Sequence, residues 1–296
     1  MRSVASLMIV LLCAVGTASA QESTQGPAGG PSISMIQGAG HVSPFRRENV
    51  EGVVGIVTAV GLGNGFYMEA PEPDDDPDTS EGIYVEGYRL PSLSPGDLVR
   101  VSGRVDEKYP GGPSSGNLPI TKIVRARVEV IGRGRLLPDP VVIGVDGRTP
   151  PNRIITDDAD GLAEESPFDP ENDALDFYES LESMRVQVND AVSVGTVHTV
   201  YGEIWVLADD GAGASVRTLR GGIVVREGDF NPERLLIDYL EDFPIFTQDP
   251  VVLPVVGDEF TAPITGIMSY SYGNFKIRPL GQLPPVTSRR LPRESV

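Results

Sequence analysis

The strongest constraint on this chain is a two-residue rhythm. From Leu98 to Val105, the apolar Val99, Val101 and Val105 alternate with Arg100, Ser102 and Arg104. From Ile120 to Ile131, Val124, Ala126, Val128 and Val130 alternate with Arg125, Arg127 and Glu129. Side chains of a strand point to opposite faces in turn, so this pattern predicts strands with one face inward and one outward. Long helical patterns are few. The 34 Gly and 26 Pro among 296 residues supply turns at short intervals. The chain therefore reads as mainly β.

Three more strands are expected upstream of these two. Asn49 to Val60 is rich in Val and Ile but carries Gly52 and Gly55, which predicts a long strand that bends. Gly65 to Glu69 and Ile83 to Glu86 follow, separated by an acidic, Pro-containing loop. Five short strands in about 100 residues, the first long and bent, predict an OB-fold-like five-stranded barrel over residues 33–137. Any other five-stranded barrel or sandwich fits the same pattern. Residues 138–174 read as an acidic, Pro-rich connector with a strand-like start at Val141–Ile143.

Residues 175–282 predict a second, divergent barrel-like β domain. Its expected elements are a helical turn at Leu175–Leu181 and strands at Met184–Val192, Glu203–Ala208 and Gly222–Arg226. Asn231–Leu240 fits a capped helical turn or a strand, and Asp258–Ser269 with Gly273–Arg278 fits a closing hairpin. A Gly-Asp, strand and aromatic-turn pattern recurs at Gly96–Tyr109 and Gly257–Tyr272, which hints that the second region is OB-like too. Leu283–Val296 reads as a Pro/Arg linker.

The first twenty residues look like an export signal. Arg2 precedes an apolar run, and Ala18-Ser19-Ala20 offers small residues before a cleavage between Ala20 and Gln21. The run is too short to span a bilayer, and no later segment is apolar enough. Residues 21–32 are expected to be a flexible leader. Cys13 is the one cysteine and lies within the signal, so disulfides and thiolate chemistry are excluded from the exported chain. Together these features predict a secreted bacterial protein, extracellular or periplasmic.

Net charge bounds the function. The chain carries -18, which excludes a strong, bulk-basic nucleic-acid binder. The acid is unevenly placed, however. Residues 138–181 hold 12 acidic and 2 basic residues, and the loop from Glu69 to Glu81 holds seven acids. The barrel body outside that loop is mildly basic, which leaves room for a small track. Single-strand binding needs aromatic platforms and such a track. The candidates are Phe66, Tyr67, Tyr84, Tyr88, Arg100, Arg104, Lys108, Tyr109, Lys122, Arg125 and Arg127 in the first domain, with Tyr272, Phe275, Lys276 and Arg278 in the second. Phe66 and Tyr67 are neighbours on a strand, so one of them is expected in the core.

Catalytic signals are weak. His41 and His198 are the two histidines, and there is no nucleophile elbow, metalloprotease helix or phosphate-binding Gly-Lys-Ser/Thr loop. Any two carboxylates that meet in space could support glycosidase chemistry, but nothing in the sequence selects a pair. Asp74, Asp76, Asp78 and Glu81 present hard oxygens that would suit Ca²⁺ or Mg²⁺, though without EF-hand spacing. A solvated turn is the simpler reading of that loop.

Several long segments resemble a known family. ISMIQGAG (33–40), VEGVVGIVTAV (50–60), GFYMEAP (65–71), DPDTSEGIYVEG (76–87) and PGDLVRVSGRV (95–105) occur in that order. They are similar to the barrel domain that precedes the catalytic domain in large secreted bacterial nucleases of the endonuclease/exonuclease/phosphatase superfamily. LDFYESLESMRVQV (175–188), RGGIVVREGDFNPERLLID (220–238) and VGDEFTAPITGIMSYSYGNFKIRP (256–279) look like the segment that follows that barrel. The resemblance implies an accessory module that holds extracellular DNA or RNA weakly beside a nuclease catalytic domain. The metal-binding Asn and Glu expected to open that domain do not follow the linker, so the chain alone is expected to be non-catalytic. A structural or adhesion module of the cell exterior, or a fragment of an extracellular nuclease, remains the alternative.

Overall fold

A computed structural model describes residues 29–61, 64–156, 166–239 and 254–288. The predicted cleavage positions Ala20 and Gln21 lie outside them, as does part of the connector. The chain is mainly β. Strands β1 (Asn49–Val60), β2 (Gly65–Glu69), β3 (Gly82–Glu86), β4 (Leu98–Lys108) and β5 (Ile120–Gly132) form a five-strand ring in the order β1-β2-β3-β5-β4. All neighbours are antiparallel except β3 and β5, and β4 returns to pair with β1. The ring encloses Val53, Val57, Phe66, Met68, Ile83, Val85, Val99, Val101, Val105 and Ile123. A short helix, α1 (Ile33–Gln37), capped by Ser32, adds Ile33 and Ile36 to that core.

The distortion expected in β1 is present, and β5 carries one that its alternating sequence did not predict. In β1 the pairing to β4 slips between Val50 and Val53, around Gly52, which has φ +76°. In β5 the rhythm breaks at Arg125. Ser102 pairs with Arg127 but Arg104 pairs with Val124, so β5 carries one extra residue, and Arg125 takes φ +54°. This is a β-bulge, which reverses the facing of everything on one side of it. Ala126 faces inward as the sequence predicts, but upstream of the bulge Ile123 takes the core position and Val124 is displaced to a half-buried one. Gly103 lies against the bulge. A Cβ there would meet Ile123 Cγ2 at 2.6 Å and Val124 O at 2.8 Å, which requires glycine.

The second domain is built on one nine-stranded sheet. Its order is β14-β11-β8-β9-β10-β13-β12-β7-β6, with β6 (Val141–Ile143), β7 (Arg185–Val188), β8 (Val192–Ser193), β9 (Glu203–Leu207), β10 (Leu235–Asp238), β11 (Glu259–Phe260), β12 (Ile264–Ser271), β13 (Asn274–Pro279) and β14 (Val286–Thr287). The helical turn predicted near Leu175 is α2 (Ala174–Glu179), capped by Asp173, whose carboxylate accepts from Leu175 N and Asp176 N. Within Asn231–Leu240, whose last residue lies outside the described ones, Leu235–Asp238 forms strand β10, with Leu235, Leu236 and Ile237 all buried. The expected strand at Gly222–Arg226 is reduced to isolated pairings of Arg217 with Ile223 and Arg226 with Asp229.

Two boundaries move. The connector's first residues belong to this sheet, since β6 pairs in parallel with β7. The predicted terminal linker also begins inside the fold: Leu283 is buried in the core and β14 pairs with β11. Among the described residues no helix is long and apolar enough to cross a membrane. Filling the space beside the bulge tests its packing. Gly103→Val should destabilise the first domain by about 1–3 kcal/mol, the usual cost of overpacking, read as a lowered urea midpoint.

Candidate functional site: a two-domain cleft beside a buried seam

The alternation of β4 and β5 sorts their ends into two environments. Asp106 pairs with Lys122, and Glu107 pairs with Thr121. Residues paired across strands share a face. On one face, Lys122 Nζ donates to Glu86 Oε2 at 2.5 Å, and Arg104 reaches Asp106 at 3.1 Å. This face opens to solvent as a cleft of about 400 Å³, lined by Glu86, Tyr88, Arg104, Lys108, Tyr109, Lys122 and Arg125 among others. An adjoining cavity of about 340 Å³ shares Glu86, Lys108 and Lys122. Its other walls include Tyr67 and Tyr84 from the ring and Tyr270, Tyr272 and Arg278 from the second domain.

Ten of the fifteen predicted binding residues therefore line these two adjoining pockets: Tyr67, Tyr84, Tyr88, Arg104, Lys108, Tyr109, Lys122, Arg125, Tyr272 and Arg278. Tyr88 and Tyr272 are the open platforms, 86% and 75% exposed. Tyr67 is only 7% exposed, in contact with Tyr84 at 4.9 Å between ring centres and packed with Ile267. Lys108 and Arg125 make no ion pair with the described residues.

The other five are placed elsewhere. Phe66 is fully buried in the ring core, because β2 turns it inward and Tyr67 outward. Arg100 pairs with Glu129 at 2.8 Å on the ring's outer surface, and the exposed Arg127 is paired with Ser102 on the same two strands. Phe275 packs between Tyr178 and Tyr270. Lys276 is 2% exposed, and its ammonium is held by Asp238 at 3.0 Å and Glu203 at 3.3 Å. It cross-braces β9, β10 and β13 and is no part of the cleft.

The acidic loop uses its oxygens locally. Asp74 Oδ1 accepts from Asp76 N and Thr79 Oγ1, Asp76 Oδ1 accepts from Asp78 N, and Glu81 Oε1 accepts from Asp74 N at 2.6 Å. Among the described residues no cluster of carboxylates and imidazoles is arranged to hold a metal ion. In the structure Asp74, Asp76, Asp78 and Glu81 lie in a turn stitched by Asx hydrogen bonds.

The inward face of the same strands leads to groups that sequence reasoning missed. Val105 and Ile123 are core residues, and two positions along the row becomes Glu107 opposite Thr121. Glu107 accepts from Ser43 N at 2.8 Å and from Thr121 Oγ1 at 3.0 Å. Here, at the end of the barrel, the second domain docks. His41 Nε2 lies 2.7 Å from Asp176 Oδ1, and its Nδ1 lies 3.1 Å from Glu179 Oε2, all three being buried. Gln37 donates to Gly82 O at 2.6 Å and to Glu182 Oε1 at 3.3 Å, while Ser80 Oγ donates to Glu182 O at 2.5 Å. Arg185 N donates to the buried Glu69 at 2.7 Å. Gly82 meets the backbone of Ser183 and Met184 so closely that a Cβ would not fit.

Burial works against a charged His41, but its contacts with Asp176 and Glu179 outweigh it and raise the imidazole to about 10. His41 is thus a buried cation at neutral pH. Burial raises Glu107 to about 7 and Glu69 to about 8. Glu182 is pushed well above the carboxylate range by burial and by Glu179 and Glu107. The spacing of Asp176 and Glu179, three apart on a helix, is the signal that could have found this pair.

A domain of unknown function (DUF8508) matches residues 142–288, just under half of the chain. That span covers almost all of the nine-stranded sheet and leaves the ring outside it. No curated protein and no solved structure matches. Removing the imidazole held between Asp176 and Glu179 tests its weight. His41→Ala should cost about 3–5 kcal/mol, as expected for an orphaned buried carboxylate pair, measured by denaturant unfolding at neutral pH.

Proposed function

We propose that the cleft holds a short stretch of single-stranded nucleic acid, and that the chain is an exported accessory module rather than a catalyst. The observation that carries this reading is the gathering of Tyr88, Tyr109 and Tyr272 with Lys108, Arg125 and Arg278 along two adjoining pockets that together span both domains. Stacking on aromatic side chains beside a cationic track is the sequence-tolerant mode of single-strand recognition. The ring order β1-β2-β3-β5-β4 supports the OB-fold assignment of the first domain. Barrels of that kind bind oligonucleotides on strands 2 and 3 and on the loops between strands 1 and 2 and strands 4 and 5. In this chain those parts supply Tyr67, Tyr84, Gly61, Asn64, Tyr109 and Pro113 to the cleft walls. The resemblance to the leading region of secreted nucleases agrees with the same ligand class and with export.

The charge pattern makes the binding weak. Glu86 and Asp106 already neutralise Lys122 and Arg104, which leaves few cations to displace counterions from phosphates. A second reading, a rigid two-domain spacer, is favoured by one observation. The β12 hairpin covers part of the ring face, with Tyr270 OH accepting from Leu118 N at 3.1 Å and Ile267 packed on Tyr67.

Fluorescently labelled single-stranded oligonucleotides separate the two readings. Binding should be micromolar or weaker at low salt and fall steeply as salt rises. Tyr88→Ala and Lys108→Ala should each weaken it severalfold without altering the melting temperature. No binding at low salt would leave the spacer.

A further inference from the structure

The seam at the end of the barrel holds more carboxyl groups than cations. Glu107 comes from β4, Asp176 and Glu179 from α2, and Glu182 from the turn that follows it. His41 is the cation in direct contact, and Arg46, between α1 and β1, acts on Glu107 as well. Glu182 Oε2 is buried with no hydrogen-bond partner among the described residues. A carboxylate in that state is strongly disfavoured, whereas a neutral carboxylic acid is tolerated. The seam therefore packs with part of its carboxyl complement protonated.

We propose that this seam is a pH-sensitive latch between the two domains, closed while Glu107 and Glu182 are protonated and loosened when they ionise. Groups from both sides meet here, so ionisation acts on the contact between domains rather than within either core. On the ring side they are Glu107, His41 and Gln37, and on the other Asp176, Glu179 and Glu182. The backbone clamp of Gly82 against Ser183 tolerates no widening without losing the Ser80 and Gln37 hydrogen bonds to Glu182.

The direction follows from linkage. A carboxyl raised in the folded state costs nothing below its ordinary value near 4.5 and its full penalty above its folded value, about 7 for Glu107. An imidazole raised from 6.5 to about 10 stabilises fully below 6.5 and loses that contribution as pH rises through 10. Both contributions weaken the seam as pH rises, and neither restores it.

The latch would also govern the cleft, a consequence that rests on the nucleic-acid reading. Glu107 bonds to Thr121 in the seam and also borders the cleft beside Lys108, and Glu182 borders the adjoining cavity beside Lys122. Opening the seam would withdraw Tyr272 and Arg278 from the ring.

Amide hydrogen exchange on the full chain at pH 6 and pH 9, corrected for intrinsic rates, tests the latch without any ligand. Protection of α1 and α2 should fall by about tenfold or more relative to the centre of β4 and β5. In the Glu107→Gln, Glu182→Gln variant the fall should shrink severalfold, the remainder coming from Glu69, which is buried at the same junction and raised to about 8. Uniform loss across the chain, or an unchanged fall in the variant, would overturn the proposal. If the double variant does not fold, Glu107→Gln alone should remove part of the pH dependence, and an unchanged profile would count against the latch. Oligonucleotide binding measured at the same two pH values reports separately on the cleft, so failure of the nucleic-acid reading leaves the exchange result standing.

Discussion

A single buried imidazolium fixes how the two halves of this chain meet. His41 sits between Asp176 and Glu179, with Phe168 against its ring edge at 5.7 Å. Without a cation there, α2 would bring two carboxylates into an apolar setting with nothing to balance them. With it, the helix becomes a docking element for the leader that follows α1. Asp176 serves twice, since its second oxygen accepts from Asp169 N at 2.6 Å and so ties down the end of the connector. Buried ion pairs contribute little net stability compared with apolar packing, but they punish misplacement. A contact of this kind sets the angle between domains more than it holds them together.

Apolar packing between them is limited to one patch. Ala59 and Tyr67 of the ring pack with Ile267 of β12, and Tyr84 and Leu280 flank them. The cluster is small beside the two domain cores, so the domains are joined chiefly by hydrogen bonds to backbone and by close approach. Ser80, Gln37 and Glu69 each reach main-chain atoms across the junction or next to it. Main-chain contacts of this type are insensitive to which side chains flank them, but they demand a fixed separation. Gly82 is where that demand shows in the sequence.

The ring was legible in the sequence because period-two patterning is local. Val99, Val101 and Val105 are all in the core, and glycine did mark the bend of β1. What the pattern could not show was the phase of β5, since a bulge at Arg125 leaves the residues alternating but exchanges their faces. The gathering of most cleft residues was likewise legible from residue type, but Phe66, Phe275 and Lys276 were not separable from it. Their environment depends on tertiary partners such as Asp238, which lies 38 positions from Lys276. The seam was illegible for the same reason. Glu107 and Glu182 look like ordinary surface acids until the end of the barrel is closed by another domain.

Cleft and seam are consequences of one geometric fact. A strand that leaves a barrel carries its inward row past the end of the core, and that row must then meet something else. In β4 the row runs Val101, Val105 and then Glu107, and the outward row keeps Arg104, Asp106 and Lys108. Had position 107 been apolar, the second domain could have docked on a hydrophobic plug insensitive to pH. A carboxyl there makes the docking conditional on a proton, while leaving the outward row unchanged. The two strand ends therefore connect proton uptake on one face to the shape of a cationic, tyrosine-walled depression on the other, with no moving part beyond the junction itself.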